Sequence, residues 1–247
     1  MCCSCANLVP LLRDVDPVDD NNLERSKLNQ PIFYTNGYSQ PLFPVITNED
    51  PNHVQFFHWG LIPSFCRTLE LAQQMQKRTI NARAETIFTK KSFKESALYK
   101  RCIIPVSGFF EWFDYQGKKY PFYITMKKVS DFALAGLWNR WRNPDSGEFI
   151  STFCIITTQA NSLVARIHRK ERMPVILNPA NEKLWLSNHS SVQELQSLLV
   201  PYTGQLEAWP VQKISNVHKT EKTQSSILEP YFYPELEELH MNHLQSI

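Results

Sequence analysis

The chain has 247 residues, of which 43% are hydrophobic, 20% charged and 12% aromatic, and its formal net charge is +2. That length and balance support a full core without disulfide or metal staples, and they exclude a disordered or fibrous chain. The near-neutral charge excludes a global field that would draw in a polyanion, while leaving room for a local basic groove.

From the N-terminus, Cys2, Cys3 and Cys5 crowd the start, whereas Cys66, Cys102 and Cys154 are scattered among apolar residues. There is no CxxC pair and no regular cysteine framework, which fits a reducing cytosol rather than a disulfide scaffold. The sequence is expected to carry no signal peptide and no membrane span of about twenty apolar residues.

Residues 14–31 are polar and acidic and read as a loop running into a short helix near Asn22 to Leu28. Gly37 and several prolines punctuate a strand-poor stretch up to Pro51. Val54 to Trp59 predicts a strand ending in a turn at Gly60 and Pro63, and Leu69 to Lys77 predicts a helix. Ser92-Phe93-Lys94-Glu95 has the form of a capping box opening a short helix. The middle is strand-rich: Cys102 to Val106, Pro121 to Met126, Phe132 to Trp138 and Thr152 to Thr158 abound in β-branched and aromatic residues. Gly117 and the Asn143 to Gly147 cluster mark turns between them. Short helices are predicted at Asn161 to Ile167, at Asn181 to Leu186, and after the capping box Ser191-Val192-Gln193-Glu194. From Gly204 onward the expectation is one strand and a closing amphipathic helix from Pro234 to Leu244. Strands and helices do not alternate as in a doubly wound fold. The class expected is α+β: a mixed, mainly antiparallel sheet with several short helices, in a single domain over residues 2–247.

Four segments could carry chemistry. Removal of Met1 would leave Cys2 as a terminal 1,2-aminothiol, with an amine of pKa about 7.7 to 8 beside a thiol of about 8.5. Such a pair can attack an aldehyde, form a Schiff base and close it to a thiazolidine, which an internal cysteine cannot do. Read alone, Cys2 is more readily an ordinary frayed terminus. Asn81 and Arg83, two residues apart, point to one side of an extended segment and could hold an oxyanion, or they could belong to a solvated turn. Glu111 stands among Phe109, Phe110, Trp112 and Phe113. A carboxyl there either has its pKa raised by burial, suiting a general acid, or points to water from an edge strand. His168 stands among Arg166, Arg169, Lys170 and Arg172, which could form a local phosphate-binding patch beside a proton shuttle or merely a charged loop. The remaining histidines lack a convincing ligand spacing, and Cys2, Cys3 and Cys5 are too tightly spaced for a usual zinc site, so neither metal nor cofactor is expected.

Beyond these residues, the order of Met1-Cys2, Trp59 to Pro63, Asn81 to Thr86, Arg101 to Pro105, Gly108 to Trp112, Ala135 to Trp138, Phe153 to Thr158, and His168 before Arg172 to Leu177 resembles the SRAP family, the SOS-response-associated peptidase domain. The resemblance runs from residue 2 to about Leu186. It implies a barrel-like antiparallel sheet and a protein that reacts with abasic sites in single-stranded DNA, linking Cys2 covalently to the opened sugar through a thiazolidine. It implies Asn81, Glu111 and His168 as supporting catalytic residues: Asn81 to orient the amine or sugar, Glu111 as acid and base, His168 as proton shuttle. Arg83 and Arg172 fall where the family holds DNA phosphates, and Tyr38 and Phe65 are placed to stack on bases. Two departures stand out. Cys3-Ser4 occupy the place of an arginine that usually follows the nucleophile, and the loop between His168 and Arg172 is longer than the family pattern. Two other readings stay open: a cysteine peptidase pairing Cys2 with His168, and a non-catalytic nucleic-acid-binding module. The expected setting is a cytoplasmic monomer, nucleoid-associated when bound to DNA, with no membrane partner.

Overall fold

The computed structural model describes residues 4–8, 30–213 and 225–245. The helix expected near Asn22 to Leu28, and Cys2 itself, lie outside the described residues. Within them run β1 (Ser4–Asn7), β2 (Ile32–Asn36), β3 (Leu42–Thr47), β4 (Gln55–Trp59), α1 (Leu69–Arg78), β5 (Asn81–Arg83), α2 (Lys94–Tyr99), β6 (Arg101–Val106), β7 (Gly108–Tyr115) and β8 (Lys118–Met126). They continue with β9 (Phe132–Arg142), β10 (Phe149–Gln159), α3 (Ser162–Ile167), β11 (Arg172–Pro174), β12 (Ile176–Leu177), α4 (Pro179–Leu186), α5 (Val192–Ser197), β13 (Leu206–Pro210) and β14 (Leu244–Gln245).

The strands form two sheets. One has the order β14-β13-β8-β7-β1-β2. In the other, β10, β4, β3, β6 and β9 pair in turn and β9 pairs back onto β10, so these strands close on themselves as a barrel. Among the described residues only β10–β4 and the side pairing β10–β5 are parallel. The mixed, mainly antiparallel, barrel-like α+β class expected from the sequence is what the chain adopts.

Alternation along the strands sorts the core. Cys102 and Ile104 of β6 join Phe43, Trp59, Leu134 and Phe153 in the main cluster, which continues into Phe109, Phe122 and Ile124 of the first sheet. Ile103 between them joins a second cluster with Ala97, Trp185 and Leu195 of the covering helices. That is the period-two pattern of strands buried on both faces. The barrel needs a glycine where β9 crosses β6 and β10. A Cβ on Gly136 would sit 2.3 Å from the Ile104 side chain and 2.8 Å from the Cys154 carbonyl.

Arg101 is buried without a carboxylate. Its guanidinium donates to the carbonyls of Leu98, Trp185 and Ser187, at the C-terminal ends of α2 and α4, where helix carbonyls lack partners.

Several expectations need correction. The stretch from Gly37 to Pro51 is not strand-poor, because it contains β3. Pro44 is tolerated there because β3 pairs only with β4 at that point and reaches β6 only from Ile46 onward. The Ser92 capping box does not form; Phe93 is the N-cap of α2 and gives no side-chain bond. The preceding turns already satisfy the helix, since the Lys94 N–H donates to the Lys90 carbonyl. The box at Ser191 does form, with both reciprocal bonds. The closing helix from Pro234 to Leu244 is absent: a 3-10 turn at Pro234–Leu236 is followed by His240 at φ 51. The Met241 N–H then reaches back to the Leu236 carbonyl, a helix-terminating bond that lets β14 pair with β13. Among the described residues no helix is long and apolar enough to cross a membrane.

Candidate active site

Glu111 lies on β7, whose neighbours are β8 on one side and β1 on the other. β7 is therefore internal to its sheet, and the edge-strand reading of Glu111 is wrong. The residue shares a face with Phe109 and Phe113 and is only 1% exposed. Burial pushes its carboxyl up to about 8, so it holds its proton at neutral pH. Its Oε1 makes no hydrogen bond among the described residues.

His168 is delivered by α3. The Asn161 side chain caps that helix by accepting from the Val164 N–H at 3.0 Å, while its amide donates to the Tyr202 carbonyl. The helix packs on β7 and ends with His168 as its C-cap, whose N–H bonds to the Val164 carbonyl. The imidazole Nε2 stands 3.8 Å from Glu111 Oε2. Its Nδ1 lies 2.8 Å from the Arg172 carbonyl and 3.2 Å from the Arg172 N–H. It cannot donate to the first and accept from the second at once. The shorter contact assigns the proton to Nδ1, which leaves the Nε2 lone pair facing Glu111. Burial holds the imidazole below its usual range, so it too is neutral near pH 7. The pair is thus a protonated acid 3.8 Å from a neutral base, a separation longer than a hydrogen bond.

A cleft of about 610 Å³ opens on this pair, with Ser4, Tyr38, Trp112 and Lys119 also in its wall. Ser4 is paired with both Phe110 and Asn36. Tyr38 stands on a 3-10 turn (Gly37–Ser39) after β2, is 64% exposed, and its N–H is capped by Asn36.

Of the residues singled out in the sequence, the structure gathers Glu111, His168 and Tyr38 around this cleft. Arg169 and Lys170 of the charged segment after His168 line it too, whereas Asn81, Arg83, Arg172 and Phe65 are not among its lining residues. Asn81 is half-buried on β5, in register with Ile155 of β10. Arg83 is exposed two residues further, opposite Thr157. Arg172 donates to both carboxyl oxygens of Glu85, at 2.5 and 3.0 Å, and to the Thr157 carbonyl. This guanidinium keeps the Glu85 carboxyl below its ordinary range. Phe65 packs beside Ile62, Cys66 and Trp141, with the Lys91 ammonium 4.8 Å from its ring centre. Sequence reasoning missed Ser4, Trp112 and Lys119 as cleft residues. The hairpin at Gly117 carried a usable signal for Lys119, since it sets Lys119 opposite Asp114. Among the described residues no group of three or more potential ligands could hold a metal ion.

The sequence model described as "SOS response associated peptidase (SRAP)" matches residues 14–218. Abasic site processing protein YoqW of Bacillus subtilis (strain 168) is 40% identical over 184 residues, covering 73% of this chain and 79% of that protein. Abasic site processing protein YMR114C of Saccharomyces cerevisiae is 28% identical over 218 residues, covering 86% of this chain and 57% of the yeast protein. Among solved structures, a Bacteroides thetaiotaomicron protein superposes with a TM-score of 0.75 at 39% identity, covering 81% of this chain and 85% of that one.

Proposed function

Since the chain belongs to the SOS response associated peptidase (SRAP) family, we propose that it processes abasic sites in DNA, using Cys2 as a covalent nucleophile toward single-stranded substrate. The observation that carries this reading is the buried Glu111–His168 pair in a cleft that Ser4 also lines. Cys2 is two residues from Ser4, so chain length alone keeps their Cα atoms within about 7 Å.

The chemistry follows from the pair. The ring-closed abasic sugar is a hemiacetal and must open to an aldehyde. The Glu111 carboxyl gives its proton to the ring oxygen as the C1′–O bond breaks, and a base takes the proton of the C1′ hydroxyl. The Cys2 amine adds to the aldehyde carbon, and the resulting carbinolamine loses one water to form an imine. Glu111 and His168 supply and remove the protons of that step. The Cys2 thiol then adds across the imine, its sulfur bonding to the carbon and its proton passing to the nitrogen, which closes a thiazolidine. The net change is one protein–DNA adduct and one water. Asn81, Arg83, Arg172, Tyr38 and Phe65 complete the proposal as orienting and strand-contacting residues. Peptide-bond hydrolysis is limited in this reading to loss of Met1.

The test mixes purified protein with a single-stranded oligonucleotide carrying one abasic site and resolves the products on a denaturing gel. A shifted band that disappears with Cys2→Ala is expected. No shifted band, from protein shown by mass spectrometry to lack Met1, overturns the proposal.

A further inference from the structure

The cations around the cleft are not used by the mechanism above. Arg169 and Lys170 are exposed residues of the turn that follows His168, and both line the cleft together with Lys119 of β8. That turn is held in place: the Glu171 N–H donates to the His168 carbonyl, and the Ala160 N–H donates to that of Glu171. None of the three cations makes a hydrogen bond or ion pair with the described residues. This contrasts with Lys100, Lys118 and Arg172, which are committed to Glu95, Glu235 and Glu85. The acidic residues of the lining are Asp114 and the protonated Glu111, so the rim carries an excess of positive charge. Lys170 is also close enough to His168 to disfavour its imidazolium. An anion bound there would lie beside the acid–base pair rather than on a remote surface.

We propose that Arg169 and Lys170, with Lys119, form the phosphate-binding rim that draws a DNA strand across the cleft and sets its backbone beside Glu111 and His168. The inference rests on the proposed function and names which cations of this chain contact the strand at the reacting sugar. The ligand is the phosphodiester backbone, read without regard to base. Arg172 lies at the other end of the same turn, and its guanidinium is engaged by Glu85 in the free protein. The rim supplies charge that needs no such exchange of partners.

The experiment measures affinity for an undamaged single-stranded oligonucleotide by fluorescence anisotropy over a range of salt concentrations. The full chain is compared with Arg169→Ala/Lys170→Ala, the charge-preserving Arg169→Lys/Lys170→Arg, and, as control, Lys183→Ala on α4, which packs on β6 and β9 and does not line the cleft. The double alanine variant is expected to weaken binding about tenfold and to lower the slope of log affinity against log salt by roughly 1 to 2. The charge-preserving variant and the control are expected to keep the parental slope. Capture of free 2-deoxyribose by Cys2, read as a mass increase, should be equal in all four proteins, because that sugar has no phosphate. An unchanged slope in the double alanine variant, or an equal loss in Lys183→Ala, overturns the rim. Failure of the parental protein to crosslink an abasic oligonucleotide instead overturns the function on which it rests, so the two failures are distinguishable.

Discussion

A buried carboxyl that keeps its proton at neutral pH leaves two marks, one on rate and one on stability. The Glu111 carboxyl titrates near 8 rather than at its ordinary 4.5 because burial penalises its charged form. Crosslinking should rise with pH as the Cys2 amine loses its proton near 7.7 to 8, then fall as Glu111 loses its own, giving a bell. Glu111→Gln should slow crosslinking by about 10²-fold or more and erase the descending limb; a pH–rate profile with that limb intact would remove Glu111 from the proton transfers. For stability, the native state binds the extra proton between pH 4.5 and about 8. The contribution of Glu111 is therefore fully present below 4.5 and is lost as pH rises through that window. Glu111→Gln cannot ionise, so it should exceed the parental protein in stability at pH 8 by a few kcal/mol in urea titrations, and the gap should close toward pH 5. The aromatic neighbours Phe109, Phe110 and Trp112 made this shift legible in the sequence. The register of β1 beside β7, which makes the strand internal, was not legible, because its partners are far apart along the chain.

Elements carry the site only as well as their ends are fastened. His168 sits at the last turn of α3, and Asn161 secures the first. Asn161→Ala removes the cap and leaves the Tyr202 carbonyl without its donor, so it should cost about 1 to 2 kcal/mol in urea unfolding. It should slow crosslinking at saturating DNA while leaving strand affinity unchanged; Asn161→Asp, which keeps the capping oxygen, should recover most of the stability. The sequence showed the Ser191 box, which depends on residues within one turn, and placed a helix at Asn161 to Ile167 without identifying Asn161 as its cap. It misread Ser92, where preceding turns do the capping, and the segment after Pro234, where burial of Leu236, Met241 and Leu244 in the main core overrides an amphipathic pattern. Local chemistry was legible wherever no neighbouring turn or tertiary partner competed for the same backbone groups.

The whole molecule depends on a segment beyond the family match, which ends at residue 218. Ile227 and Leu228 pack with Ala6, Tyr34 and Phe110 across the outer face of the first sheet, and the Trp209 indole donates to the Leu228 carbonyl at 2.7 Å. Tyr233, Leu236, Met241 and Leu244 enter the main core. Deleting residues 225–247 should lower stability by on the order of 5 kcal/mol or more, given about 1.5 to 3 kcal/mol per buried apolar side chain. It would also expose β13 as an open edge, so aggregation on heating should accompany the lower urea midpoint; an unchanged midpoint would mean the segment is dispensable. The opposite end of the chain has a different dependence. β1 is held between β2 and β7, and its partner Phe110 is encoded roughly a hundred residues after Ser4. At a synthesis rate of about 5–20 residues per second, the first strand waits roughly 5 to 20 seconds on the ribosome before β7 exists to receive it. On the proposed function, that interval is when an aminopeptidase meets an unpaired Met1.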